Sequence, residues 1–225
     1  MRNRYFRRSR LSEPIFLAIL RCWSEDLTAI KTANLVGVNR NTAGAIFRHL
    51  RDRAVRLAIQ EGKEADSGVF ECDESYFGAH RIRGKRGRGA AGKTPVFGIL
   101  KRGGRVYVSI VPNCSKDSLM PIIQGHILAG SEVHTDGWKS YDGLLLNGYD
   151  HYRIYHHENE FARGKNHVNG IESFWAYAKH RLAMYHGVFS RVFPLHLKEC
   201  EFRFNRRHED LYLFMIKNII SDPLN

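Results

Sequence analysis

The sequence has few cysteines, and none of them forms a closely spaced pair. The four cysteines among its 225 residues are separated by long intervals without a C-x-x-C motif, so we predict neither a zinc ribbon nor a disulfide framework. They are Cys22, Cys72, Cys114 and Cys200. We interpret all four as free thiols.

Long apolar runs are also missing. The run at residues 16–20 is far shorter than the roughly 20 residues that cross a bilayer, so we expect no membrane segment. The apolar stretch at 14–20 ends at Arg21 without a small-residue cleavage site, which argues against a secretory signal. We therefore expect a cytoplasmic protein.

Acidic residues are outnumbered by basic ones. The 35 Lys and Arg against 23 Asp and Glu give a formal net charge of +12 at pH 7, which favours a polyanionic partner. Hydrophobic residues make up 43% of the chain, enough for a packed core. We therefore expect a folded protein whose partner is a polyanion.

Hydrophobic periodicity divides the chain into a helical N-terminal part and a mixed α/β remainder. Residues 62–67 are mostly small and polar, as is typical of a connection between packed units. We therefore predict a helix-turn-helix DNA-binding domain over residues 1–65 and a larger domain over residues 66–225.

The N-terminal part has a helix-turn-helix pattern. Helices are predicted over residues 14–23 and 28–36, then a turn at Gly37 and a third helix that ends near residue 53. The third helix would expose four side chains that can contact phosphates or base edges. They are Arg40, Asn41, Arg48 and Arg51. The alternatives are a solvated basic face on three amphipathic helices and, for the five arginines of residues 1–10, a disordered arm.

The larger part begins with β-type runs and ends in helices. A hairpin turn at Gly103 and Gly104 joins the second and third runs, and Ser115 is the expected N-cap of the helix that follows. The predicted strands cover residues 69–77, 95–101, 106–112, 132–135 and 152–156. The predicted fold class is α/β, with an RNase H-like domain, a mixed sheet flanked by helices, after the small all-α domain.

Three acidic residues border otherwise apolar segments. Asp73 lies in a predicted strand, Asp136 ends another strand, and Glu172 lies on a predicted helix. Such carboxylates can converge on divalent cations, and hard oxygen ligands favour Mg²⁺ or Mn²⁺. Two ions roughly 3.5–4 Å apart would activate water or a 3′-hydroxyl for in-line attack on phosphorus.

Lys179 lies seven residues after Glu172, which returns it to nearly the same helix face. It would supply a cation for phosphate two turns beyond a metal ligand. The alternative is that both residues are ordinary exposed charges beside a core stripe.

Four segments form an ordered set of motifs in the larger part. They are E-x-D-E-x-Y-x-G at 71–78, a basic glycine-rich stretch at 84–98, H-T-D-G-W-x-x-Y at 134–141 and H-x-N-G-I-E-S-F-W-x-x-x-K at 167–179. Over about residues 66–215 the chain resembles the transposases of small bacterial insertion sequences, of the DDE superfamily. The resemblance is to the subgroup in which asparagine sometimes replaces the third acid.

The resemblance implies an RNase H-like core that cleaves DNA with two metal ions and transfers strands at terminal inverted repeats. It implies that Asp73, Asp136 and Glu172 form the acidic triad and that Lys179 is the following basic residue. Asn169 competes for the third position, and we prefer Glu172 because it has the seven-residue spacing to Lys179.

Residues 81–93 contain six basic residues, four glycines and no acidic residue. Glycine lets the backbone approach a polyanion while the cations neutralise phosphates, so we predict a DNA-contacting hairpin extension. Its basic residues are Arg81, Arg83, Lys85, Arg86, Arg88 and Lys93. The alternative is a flexible solvated loop.

The predicted function is therefore Mg²⁺-dependent DNA transposition. The expected partners are double-stranded DNA, as element ends and target, and at least one more copy of the chain, since two ends must be brought together. We expect the protein to be nucleoid-associated. A non-catalytic helix-turn-helix repressor and an RNase H-like nuclease without strand transfer are the alternatives.

Overall fold

The computed structural model describes residues 3–78, 93–136, 144–154, 168–185 and 187–225. The helices in these ranges are α1 (Glu13–Ser24), α2 (Ala29–Val36), α3 (Arg40–Glu61), α4 (Lys116–His126), α5 (Asn169–Ala183), α6 (Phe193–Asn205) and α7 (Leu211–Ser221), with a short 3-10 helix at Leu145–Asn147. The strands are β1 (Val69–Phe77), β2 (Thr94–Lys101), β3 (Val106–Ile110), β4 (Glu132–Asp136) and β5 (Asp150–Ile154). Among the residues described, no helix is both long and apolar enough to cross a membrane.

The chain divides into two compact units, one made of residues 1–58 and 206–225 and the other of residues 59–205. The sequence placed this division at residue 65 and assigned the whole C-terminal part to the larger domain. The structure differs in both respects. The division falls inside the continuous helix α3, and the C-terminal residues return to the first unit.

Helix α3 extends eight residues beyond its predicted end because its buried stripe continues through Ala54 and Ala58, and no glycine or proline lies between Arg53 and Gly62. Arg53 explains part of this continuation. It is buried and donates to Asn218 Oδ1 at 3.0 Å and pairs with Asp222 at 2.9 Å, which ties α3 to the end of α7. Sequence periodicity identifies each helix but not this partner.

Residues 3–7 are packed rather than free. Tyr5 is buried and its ring stacks on Phe16 with centroids 5.7 Å apart. Phe6 pairs with Leu224 in a parallel β-bridge, and the Arg7 amide donates to the Leu224 carbonyl at 2.8 Å. The alternative of a disordered arm is therefore wrong for residues 3–7.

The second unit is built on a five-stranded mixed sheet in the order β3-β2-β1-β4-β5. The pairs β1–β2 and β2–β3 are antiparallel, whereas β1–β4 and β4–β5 are parallel. Gly103 provides the predicted hairpin turn with a φ of +69°. This RNase H-like arrangement of sheet and helices confirms the predicted fold class, although β5 begins two residues earlier than expected.

Alternating residues of the strands fill two cores. On one face, Leu100, Val106 and Val108 pack against Phe174 of α5 and Leu197 of α6. On the other face, the partners of the sheet include Leu119 and Ile123 of α4. Each face is therefore covered by helices, as a sheet with parallel strands requires.

Helix α6 also covers the edge strand β3. Asn205 accepts from the Val106 amide at 2.8 Å and donates to the Val106 carbonyl at 2.9 Å, and Glu201 accepts from the Val108 amide at 2.8 Å. Two side chains four residues apart on α6 thus satisfy backbone groups that another strand would otherwise pair. This contact protects an edge that is prone to aggregation when exposed.

Candidate active site

The parallel pairing of β1 and β4 brings two predicted carboxylates together. Cys72 pairs with Thr135 in this register, so the next residues, Asp73 and Asp136, follow on neighbouring strands. Donor oxygens of Asp73, Asp136 and Glu74 all lie within 4.8 Å of one another. An acidic cluster that could bind a metal ion therefore forms where β4 ends.

Glu74 is the member of this cluster that sequence reasoning missed. It follows Asp73 directly, and strand alternation places successive side chains on opposite faces of a sheet. The pattern therefore gives no reason to group the two residues. The acidic dipeptide was the available signal, and only the proximity of β4 shows that both carboxylates reach Asp136.

The environment of Asp73 opposes its negative charge. The pKa of this carboxyl is raised to about 6, chiefly by burial and also by the nearby charges of Asp136 and Glu172, while hydrogen bonds from the Glu74 amide and from Trp175 act in the opposite direction. A carboxylate held in this way interacts favourably with any cation that enters the cluster. The electrostatics therefore favour occupation by a cation.

Glu172 lies in the first turn of α5 and is exposed. Its charge acts on Asp73, but it is not one of the three carboxylates that meet within 4.8 Å among the residues described. Asn169, its competitor, is the exposed first residue of the same helix. Lys179 is exposed too, with its Nζ 5.9 Å from the centroid of the Phe77 ring.

Trp175 orients the Asp73 carboxylate. Its Nε1 donates a hydrogen bond to Asp73 Oδ2 at 3.0 Å. The indole reaches this position across Gly98, the residue paired with Asp73 in the β1–β2 register, where a Cβ would lie 2.6 Å from Trp175 Cζ2. Trp175 was not among the residues that the sequence predicted for the site, so this role was missed.

Glu71 is a second acidic residue of β1 with a role that the sequence did not show. It is 1% exposed. One carboxylate oxygen accepts from Arg102 Nε at 2.8 Å, and the other accepts from the Ile171 amide at 3.0 Å. Glu71 therefore joins β1 to the start of α5, next to Glu172.

Apart from Lys179 on α5, the residues predicted to contact DNA fall in two places. On α3, Arg40, Asn41 and Arg48 are exposed and Arg51 is half-buried. A groove beside the start of α3 is lined by Asn41 and, from the N-terminal segment, by Arg10. Lys93, just before β2, is half-buried. The remaining basic residues of that stretch lie outside the described residues: Arg81, Arg83, Lys85, Arg86 and Arg88.

The donor set of the acidic cluster fits a hard divalent cation. All three side chains offer carboxylate oxygens, which Mg²⁺ and Mn²⁺ prefer, whereas zinc sites usually include nitrogen or sulfur. Within the described ranges, the charges that act on the buried Asp73 carboxyl are the acidic Asp136 and Glu172, which is consistent with such an ion. The donor set is therefore compatible with a metal of this class.

Comparison with known proteins connects this site to a family. Residues 67–205 match the ISXO2-like transposase domain. Over 120 residues the chain is 38% identical to an uncharacterized transposase-like protein of Haemophilus influenzae. The aligned stretch covers 53% of this chain and 97% of that protein.

Two solved structures are more distant. The catalytic core domain of BIV integrase has a TM-score of 0.44 and 14% identity, with 69% of this chain and 98% of that chain covered. The Mos1 transposase in a paired-end complex with the left transposon end has a TM-score of 0.30 and 10% identity, with 96% of this chain and 81% of that chain covered. The family match, by contrast, includes every strand of the sheet and helices α4 to α6.

Proposed function

This chain belongs to the family of ISXO2-like transposase domains, and we propose that it cleaves the terminal inverted repeats of an insertion sequence and transfers the freed strands to target DNA. The observation that carries the proposal is the meeting of Asp73, Glu74 and Asp136 carboxylates within 4.8 Å. These residues lie inside the matched region, on two adjacent parallel strands.

Asp73, Asp136 and Glu172 are proposed to hold two Mg²⁺ or Mn²⁺ ions, with Asn169 as the alternative to Glu172. When bound, such ions supply Lewis-acid activation of water or a 3′-hydroxyl and stabilise the leaving oxygen. Trp175 keeps the Asp73 carboxylate directed into the cluster. Lys179 is proposed to bind a DNA phosphate through its exposed ammonium group.

The first unit is proposed to recognise DNA through a helix-turn-helix. Support comes from the exposed Arg40, Asn41 and Arg48 at the N-terminal half of α3 and from Arg10, which lines the same groove as Asn41. Basic side chains at these positions can contact phosphates and base edges. The basic stretch at residues 81–93 is proposed as a second DNA contact.

The proposed reaction sets the assembly and its place in the cell. Two element ends must be held together during strand transfer, so we propose at least a dimer on DNA. The substrate is chromosomal or plasmid DNA, so the proposed location is the bacterial cytoplasm, in association with the nucleoid.

Asp136→Asn tests the proposal. The variant should bind a labelled fragment carrying the terminal repeats as tightly as wild type but lose Mg²⁺-dependent cleavage, because it removes a carboxylate from the cluster and leaves α3 unchanged. Asp150→Asn, which neutralises an exposed carboxylate on the neighbouring strand β5, is the matched control and should cleave normally.

The alternatives give different results in the same assay. A repressor would bind the fragment and show no cleavage even as wild type. A nuclease would cleave the labelled ends without joining them to a target plasmid. Either result, with folded wild-type protein and Mg²⁺ or Mn²⁺ present, would contradict the proposed function.

A further inference from the structure

Two hydrogen bonds attach α5 to one face of β1. The Ile171 amide donates to Glu71, and the Trp175 indole, one turn later, donates to Asp73. Glu71 and Asp73 are two residues apart on the strand and therefore share a face. Glu172 lies between the two attached positions of α5, so the same two hydrogen bonds determine the position of its backbone relative to β1.

Glycines permit the close approach of helix and strand. A Cβ at Gly170 would overlap Leu100 Cδ2 and lie 2.9 Å from Glu71 Oε2. A Cβ at Gly98 would overlap the Trp175 ring. Gly170 thus lies in the first turn of α5 and Gly98 lies under Trp175, so a larger residue at either position would push the helix away from the sheet.

Glu71 acts as a cap for α5 that comes from a distant strand. The first four amides of an α-helix have no partner within the helix, and Ile171 carries the third of them. The residue before the helix, Val168, makes no side-chain capping bond. A carboxylate at this end also interacts favourably with the helix dipole, and Arg102 pairs with it in the buried site.

We infer that Glu71 is a positioning residue of the acidic site, which fixes the first turn of α5 on β1 so that Glu172 is held beside Asp73. The inference rests on the proposed function in one respect, the assignment of Glu172 as a metal ligand. Glu71 is not itself placed as a ligand, because both of its oxygens already accept hydrogen bonds from the protein.

A double-mutant cycle on Mn²⁺ binding tests this inference without DNA. The dissociation constant is measured from the EPR signal of free Mn²⁺ for wild type, Glu71→Gln, Glu172→Gln and the double variant. Partners that orient metal ligands typically change affinity by about 10–100-fold when replaced. We expect each single variant to bind Mn²⁺ about tenfold more weakly and the double variant to be no weaker than Glu172→Gln.

Glu201→Gln is the matched control. Glu201 is also a buried glutamate that accepts from a backbone amide, that of Val108, and pairs with a cation, Lys198. It joins α6 to β3, away from the acidic cluster, so its replacement should lower stability and leave Mn²⁺ affinity unchanged. A purely structural role of Glu71 would make the two variants behave alike.

Gly170→Ala should also displace the first turn of α5 from β1. It tests the inference independently, because it alters no carboxylate. It should weaken Mn²⁺ binding in wild type and have no further effect in Glu172→Gln. This variant keeps the inference testable if Glu71→Gln does not fold. The inference would be overturned if Glu71→Gln or Gly170→Ala weakened Mn²⁺ binding by the same factor in Glu172→Gln as in wild type. It would also be overturned if Glu71→Gln and Gly170→Ala both left the Mn²⁺ affinity unchanged.

The DNA assay separates this inference from the proposed function. If wild type cleaves and joins DNA ends but the cycle is additive, the positioning role fails and the function stands. If wild type is inactive on DNA but the cycle shows coupling, the function fails and the positioning role stands.

Discussion

Replacing Asp73 with asparagine should stabilise the metal-free protein even though it removes a proposed metal ligand. The pKa of this carboxyl is raised from 3.8 to about 6, chiefly by burial and further by Asp136 and Glu172. A rise of about two pH units corresponds to at most about 3 kcal/mol of unfolding free energy, since one unit is worth about 1.36 kcal/mol. Asparagine retains an oxygen that can accept from Trp175.

The stability gain of Asp73→Asn over wild type should increase as the pH rises. Because the pKa is higher in the folded state, the contribution of the Asp73 carboxyl to stability is fully present below pH 3.8 and is lost as the pH rises through about 6. The unfolding free energy of Asp73→Asn should therefore equal that of wild type near pH 3.8. Above about pH 6 it should exceed the wild-type value by at most about 3 kcal/mol. Such a gain is expected of a site built for function rather than stability.

Hydrogen exchange of the β1 amides, measured in EDTA below and above this interval, gives the free energy of opening of the second unit. Asp66→Asn is a control of opposite sign. A hydrogen bond from Lys101 lowers the pKa of Asp66, so its contribution is present above its unfolded pKa, is lost on acidification, and should be missing from the variant at neutral pH. Equal stability of Asp73→Asn and wild type at neutral pH, or a gain that does not vary with pH, would refute the reasoning.

Four further substitutions test the packing of the second unit. Gly98→Ala should lower stability by about 1–3 kcal/mol because its methyl group overlaps the indole ring, whereas Gly125→Ala, with open space on α4, should raise it by roughly 0.5–1 kcal/mol; urea unfolding that ranks them in the opposite order contradicts this. Asn205→Ala should cost about 1–3 kcal/mol and accelerate hydrogen exchange at Val106, whose amide loses its acceptor; unchanged exchange there would show that β3 has another partner. Glu199→Ala should cost about 3–5 kcal/mol in a thermal or urea melt, because two buried arginines lose their shared carboxylate; a loss under 1 kcal/mol would contradict that account.

The parts of the fold that sequence reasoning predicted are those governed by local chemistry. The bounds of β1 agree with its run of β-forming residues, and Thr28 caps α2 through its side chain while Gly37 ends it in the left-handed conformation. The parts that were wrong depend on distant partners. The end of α3 and the unit to which α7 belongs are decided in part by contacts of Arg53 with residues more than 160 positions away.

The candidate site shows the same division. Asp73 and Asp136 were identifiable because a carboxylate in or at the end of an apolar strand is costly without a partner. The roles of Glu74, Glu71 and Trp175 were not identifiable, because each depends on which element lies opposite the strand.

The sequence by itself determined the elements of this protein, the basic character of its surface and the family to which it belongs, because propensity, charge and motif order are properties of the chain alone. The tertiary structure decided which carboxylates meet, how α5 is attached to β1 and where the last helix packs. These depend on the pairing of β1 with β4 and on the approach of helix to strand over two glycines, and such contacts between distant residues leave no local pattern from which they could be read.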